Sequence, residues 1–259
     1  MAVSILPLTL TLLAAALLLT LIPPSAGHKV SRDLTLTVVN NCPYPVWPAI
    51  QPNSGYSVLE KGGFFLPSLT HHSFQAPSTT WSGRIWGRTG CSYNHRRNQF
   101  SCATGDCGGR LECVGLGGKP PVTLAQFSLH NGRNDLSSYG LSLVDGFNVP
   151  MTVTPHDGKG ICPVVGCQVN LLATCPPKLQ VRQPQGGPVV ACKSGCLAFG
   201  TDELCCRNRY NSPATCRPSF FSQFFKKACP STFTYAHDTP SLMHDCASSR
   251  EIKVIFCPN

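Results

Sequence analysis

The sequence predicts a mainly β protein, a β-sandwich stapled by disulfides. Three observations predict it. Short stretches alternate apolar and polar residues between Gly, Pro, Ser and Asn turns, as strands of layered sheets do. No long stretch repeats apolar residues at a helical interval. The chain also carries 16 cysteines, an even number. In an exported protein that implies about eight disulfides and no free thiol.

Export is predicted by the N-terminal residues. Positions 5–22 are apolar or threonine throughout, and Pro23-Pro24-Ser25-Ala26-Gly27 follows as a small-residue cleavage stretch. We expect a signal peptide over 1–27, secretion to the extracellular space, and no membrane span after its removal. The formal charge is +9, with basic residues scattered along the chain, which suits acidic wall or membrane surfaces. The secretory route and the lack of a basic-aromatic motif exclude nucleic acid as a partner. No cysteine or histidine pair is matched by a second pair at zinc spacing, so neither metal nor cofactor is expected.

The elements follow in order. Residues 34–39 alternate branched and apolar side chains and form the first strand, ended by Asn40-Asn41-Cys42-Pro43. Short strands come at 46–49, 72–75 and 83–88. The cysteine-rich stretch 91–113 buries little apolar surface and must be stapled. Strands at 122–130 and 141–147 then flank a polar turn. In the first, Thr123, Ala125, Phe127 and Leu129 share one face, and Leu124, Gln126, Ser128 and His130 the other. The second ends in Asp145-Gly146, where a rigid scaffold can present a carboxylate to a ligand. Another strand covers 151–154. Cysteines are then most numerous from Cys162 to Cys229, with short helices at 201–204 and 218–227. Thr201 is the N-cap of the first, with acidic residues in its first turn. The second begins with Pro and ends with Lys, and its Phe220, Phe221, Phe224 and Phe225 make one broad apolar face on the core. The last strand, 251–256, alternates Ile252, Val254 and Phe256 against Lys253 and Ile255. Adjacent Cys205 and Cys206 reach different partners, because neighbours bond only with strain. Spacing leaves the other pairings open.

Several motifs resemble the thaumatin-like proteins, the plant pathogenesis-related family 5. They are GRIWGRTGC at 83–91, TGDCGG at 104–109, VDGFNVP at 144–150, FFKKACP at 224–230 and VIFCP at 254–258, together with the order and spacing of all the cysteines. The resemblance implies a flattened antiparallel β-sandwich over 28–88, 120–162 and 230–259. It adds a small disulfide loop domain over 89–119 and a disulfide-rich domain with short helices over 163–229. It also implies the pairs Cys42–Cys257, Cys91–Cys102, Cys107–Cys113, Cys162–Cys246, Cys167–Cys229, Cys175–Cys192, Cys196–Cys205 and Cys206–Cys216. A monomer is expected.

In many antifungal members of that family a cleft between sandwich and disulfide-rich domain is lined by one Arg, one Glu and three Asp. Arg84, Asp145 and Asp238 match three of these positions. Gln126 stands at the Glu position and Gly140 at the first Asp. Tyr139 is the candidate aromatic face for a sugar, whereas Phe147 belongs to the core. The resemblance implies defence against fungi and binding of β-1,3-glucan or the fungal surface, in the apoplast or cell wall. A glycosidase needs two carboxyl groups, and Gln126 cannot ionise. The expectation is therefore binding without strong catalysis, since the Gln126 amide donates and accepts and so suits sugar hydroxyls. Two alternatives are a weak endo-β-1,3-glucanase using Asp145 and Asp238, and an inhibitor or signalling protein that docks on a protein partner.

Overall fold

The computed structural model describes residues 33–96, 98–132 and 134–258; the expected signal peptide lies outside them. In chain order the strands are β1 Thr35–Asn40, β2 Trp47–Pro52, β3 Thr70–Gln75, β4 Trp81–Arg88, β5 Ser92–Asn94, β6 Gln99–Ser101, β7 Leu124–Asn131, β8 Leu136–Ser142, β9 Met151–His156, β10 Val165–Cys167, β11 Gln180–Arg182, β12 Val189–Cys192, β13 Thr232–Phe233, β14 His244–Ala247 and β15 Glu251–Phe256. The helices are α1 Gly195–Phe199, α2 Asp202–Cys205 and α3 Phe220–Ala228.

Two sheets make the sandwich. One runs β10-β9-β15-β1-β3, and the other runs β13-β8-β7-β4-β2 with β14 added on β8. The expected alternation holds in β7: Ala125, Phe127 and Leu129 enter the main core, while Leu124 joins a smaller cluster with Trp86, Cys107 and Cys113. Most pairings are antiparallel, as expected, but two are parallel. β1 runs beside β15 (Val38↔Val254) and β13 beside β8. The first follows from bringing the two ends of the described chain together, where Cys42 and Cys257 are bonded.

All eight cysteine pairs implied by the resemblance are present, and no free cysteine remains. They do not hold the outlying segments alone. Leu171, Leu179, Phe225 and Cys229, from the disulfide-rich segment, share one core cluster with sandwich strands. β10, from the same segment, pairs with β9. Arg88, fully buried, fastens the small loop: its guanidinium donates to the Trp47, Arg110 and Leu111 carbonyls at 3.0, 2.7 and 2.8 Å.

The helices start where capping chemistry places them. Thr201 Oγ1 accepts from Leu204 N, and Ser219 and Ser222 form a reciprocal box at the start of α3. α1, capped by Ser194, has no counterpart in the sequence reading. Two expectations need correction. The phenylalanines of α3 do not form one buried face: Phe225 is fully buried, but Phe220 is 77% exposed. Five residues rotate a helix about 140° past a full turn, so these two cannot face the same core. The strand expected over 141–147 instead ends at Ser142, and Gly146 N closes a turn onto Leu143 O at 2.9 Å. Gly146 has φ +86°, and a Cβ there would meet Cys192 O at 2.6 Å. Asp145 thus sits on a fixed turn just past the strand.

Candidate ligand-binding groove

The groove grows from the β4–β7–β8 face that does not enter the core. Arg84, Gln126 and Gly140 are register partners across these three strands. Partners in register put their side chains on one face, so Arg84 and Gln126 stand side by side. The turn after β8 adds Val144 and Asp145, and β13 with its continuation adds Phe233 and Tyr235. Together with Leu124, Ser142 and Ala236 they line a concavity of about 300 Å³. A smaller notch, of about 80 Å³, continues from it. Asp145 and Tyr235 on one side face Ser194, Gly195, Leu197 and Leu204, at the starts of the short helices. The concavity itself is lined by sandwich residues, and the notch, which shares Val144, Asp145, Tyr235 and Ala236 with it, reaches the disulfide-rich segment.

Its charge is sparse. Arg84 Nη2 reaches Asn53 Oδ1 at 3.5 Å, and Asn53 in turn donates to Ser82 Oγ at 2.7 Å. Burial pushes the Asp145 carboxyl above its ordinary value, and the Arg84 guanidinium pulls it partly back. Burial, then the Asp238 charge, raises the Tyr235 phenol, while Arg217 opposes the shift. Tyr235 therefore presents a neutral hydroxyl. One carboxyl group, one guanidinium, one amide and two aromatic rings are what the groove offers. Among the described residues no group of three His, Cys, Asp or Glu side chains could hold a metal.

Two residues expected in the cleft are elsewhere. Tyr139 is register partner of Phe127, on the core face, and is fully buried. Its hydroxyl donates to Pro163 O at 2.7 Å, and burial, then the Asp245 charge, pushes the phenol to about 12. It cannot stack on a ligand in this groove. Asp238 lines a neighbouring concavity with no described share in the groove. Its Oδ2 accepts from Thr234 N and Oγ1 at 2.8 and 2.9 Å and meets Lys226 Nζ at 2.7 Å. Asp145 and Asp238 thus line no concavity together.

The Gly140 position is more than a lost carboxylate. A Cβ there would lie 2.7 Å from Met243 Sδ and 3.0 Å from Leu242 O, so the space is filled from the segment before β14. Sequence reasoning missed Phe233 and Tyr235 as wall residues. The signal was present in Thr232-Phe233-Thr234-Tyr235, where threonines alternate with aromatics. Thr232 and Thr234 are buried, and the two rings are left for the groove.

Comparison with known proteins gives the family. The chain is 66% identical over 247 residues to an osmotin-like protein of Solanum lycopersicum, covering 95% of this chain and 96% of that one. It is 46% identical to a thaumatin-like protein of Arabidopsis thaliana, over 87% and 90% of the two chains. It is 41% identical to a Prunus avium protein named glucan endo-1,3-beta-glucosidase, over 86% and 90%. The thaumatin family profile matches residues 40–258. With the disulfide set and the sandwich in place, the chain belongs to the thaumatin family.

Proposed function

We propose that this thaumatin-family protein is a secreted plant defence protein that binds β-1,3-glucan of the fungal wall in the groove between sandwich and disulfide-rich segment, without strong hydrolysis. The observation that carries the reading is the lateral pair Arg84–Gln126 beside the single carboxyl group of Asp145. A neutral sugar chain needs donors and acceptors in fixed places and an aromatic face. Arg84 and Gln126 supply the first, and Tyr235 the second. Retaining or inverting hydrolysis needs two carboxyl groups across one scissile bond. Asp145 has no such partner here, because Asp238 is committed to Lys226 and Thr234. The eight disulfides fit an oxidising, extracellular setting. The Prunus avium relative named as a glucosidase supports the choice of β-1,3-glucan.

The test is retention of the oxidised protein on insoluble β-1,3-glucan, alongside a reducing-sugar assay on laminarin. Binding that falls more than tenfold in Arg84→Ala and Gln126→Ala, with no sugar released, is the expected result. Wild-type protein that passes through the glucan at low salt would end the reading. Steady sugar release abolished in Asp145→Asn would replace it with a hydrolase.

A further inference from the structure

A second concavity, of about 340 Å³, shares Tyr235 with the groove. Gln223, Lys226, Asp238, Pro240 and Leu242 line it with Tyr235. The notch described above joins the two, because it shares Tyr235 with both and Ser222 and Thr234 with the second concavity. Tyr235 is therefore a wall of all three spaces.

The walls are of two kinds. Tyr235, Pro240 and Leu242 give apolar surface. The same lining carries polar groups, two of them held in place. Asp238 is 8% exposed, and Lys226 Nζ is fixed between Asp238 Oδ2 at 2.7 Å and Thr232 O at 2.6 Å. All the described contacts of the Asp238 carboxylate fall on Oδ2, which leaves Oδ1 as an acceptor. Gln223, exposed on α3, adds an amide that both donates and accepts. The ion pair is neutral as a unit, so the concavity selects no net charge. Apolar surface and hydrogen-bonding groups lining one concavity are what a pyranose ring requires, for its C–H face and its hydroxyls.

We infer that this concavity is a second sugar subsite for the same glucan chain, reached across Tyr235, so that the protein reads chain length. This rests on the glucan reading of the groove. A short oligosaccharide fills the groove alone; a longer one engages both spaces and gains from the tether between them. Gln223 and Leu242 touch only the second space, so they separate the two claims.

The experiment is calorimetric titration of the oxidised protein with laminaribiose and laminarihexaose. The hexaose should bind more than about twentyfold tighter, beyond the roughly fivefold that its extra registers give. In Gln223→Ala and Leu242→Ala the ratio should fall to about fivefold, with biose affinity unchanged. Gln126→Ala should weaken both ligands. A hexaose-to-biose ratio that stays high in both variants overturns the second subsite and leaves the groove reading standing. Failure of the wild type to bind either oligosaccharide overturns both.

Discussion

Met243 Sδ lies 2.7 Å from where a Cβ on Gly140 would stand. The absence of a side chain at position 140 is thus matched by a side chain from the segment before β14. Restoring an aspartate there should not restore an acidic groove. Gly140→Asp should cost about 1–3 kcal/mol through overpacking, read as a shift in denaturant midpoint. Adding Met243→Ala should recover part of that loss. A single variant as stable as the wild type would show that the space is open.

Asp145 makes a prediction with a definite sign. Burial raises its carboxyl above the ordinary value, and Arg84 only partly offsets this. A raised folded-state value means that the protonated form suits the fold better. Its contribution is full below the unfolded value and is lost as pH rises through the folded one. Asp145→Asn is neutral throughout. Relative to the wild type it should therefore gain melting temperature between pH 3 and pH 7. If the gain runs the other way, the guanidinium outweighs burial in this groove.

The Asp238 carboxylate ties α3 to the stretch that follows β13. It takes two bonds from Thr234 and one ion pair from Lys226 on α3. Removing one member of a buried charged set costs more than the set contributes, because the partner is left uncompensated. Asp238→Ala should cost about 3 kcal/mol. Lys226→Met should cost less, because the carboxylate it leaves keeps both bonds from Thr234, whereas Asp238→Ala leaves Thr234 N and Oγ1 without their acceptor. Equal losses in the two variants would mean that the Thr234 bonds add little beside the ion pair.

These residues show how far the sequence reaches. Alternation in 122–130 placed Gln126 on the face opposite Ala125 and Phe127, and the structure keeps that arrangement. The same rule, applied across the β7–β8 ladder, would have sent Tyr139 into the core, but register depends on where the turn falls. That turn was expected too late, because Leu136-Ser137-Ser138-Tyr139-Gly140 reads as a polar loop until Phe127 and β14 cover it. The family resemblance matches Asp238 to a cleft position through Tyr235-Ala236-His237-Asp238 alone. The real partner of Asp238, Lys226, belongs to a helix whose packing no local pattern reports. The cysteine pairing came from family resemblance, since spacing could exclude only a bond between Cys205 and Cys206.

Arg88 ties the small loop to the sandwich through one side chain. Beyond the three carbonyls already named it reaches Pro48 O at 3.3 Å, and its guanidinium lies 5.8 Å from the Phe100 ring centre. Burial lowers its value to about 10, and Asp106 opposes the shift, so it stays charged at any physiological pH. Arg88→Ala leaves several buried carbonyls without a donor and should cost about 4 kcal/mol. Arg88→Lys, with a point charge in place of a fork, should cost about half as much. Limited proteolysis should then cut between Cys91 and Cys113 first. Cleavage that begins in the disulfide-rich segment would show that the loop has another anchor.

The disulfides should differ in worth according to the loops they close. Cys42–Cys257 spans 215 residues, and Cys107–Cys113 spans 6. By the chain-entropy model the first restrains the unfolded chain by about 5 kcal/mol and the second by about 2. The nested Cys162–Cys246 bond spans 84 residues and shortens the outer loop, but the dependence is logarithmic, so the estimate hardly moves. β1 and β15 stay paired without the outer bond, since six registered positions hold them in parallel. The Cys42→Ala/Cys257→Ala protein should therefore fold to the same sandwich, with groove binding intact, and unfold at a lower denaturant concentration than Cys107→Ala/Cys113→Ala. If the short bond proves the costlier to lose, native packing around Cys107 and Cys113, both buried beside Trp86, governs stability more than restraint of the unfolded chain.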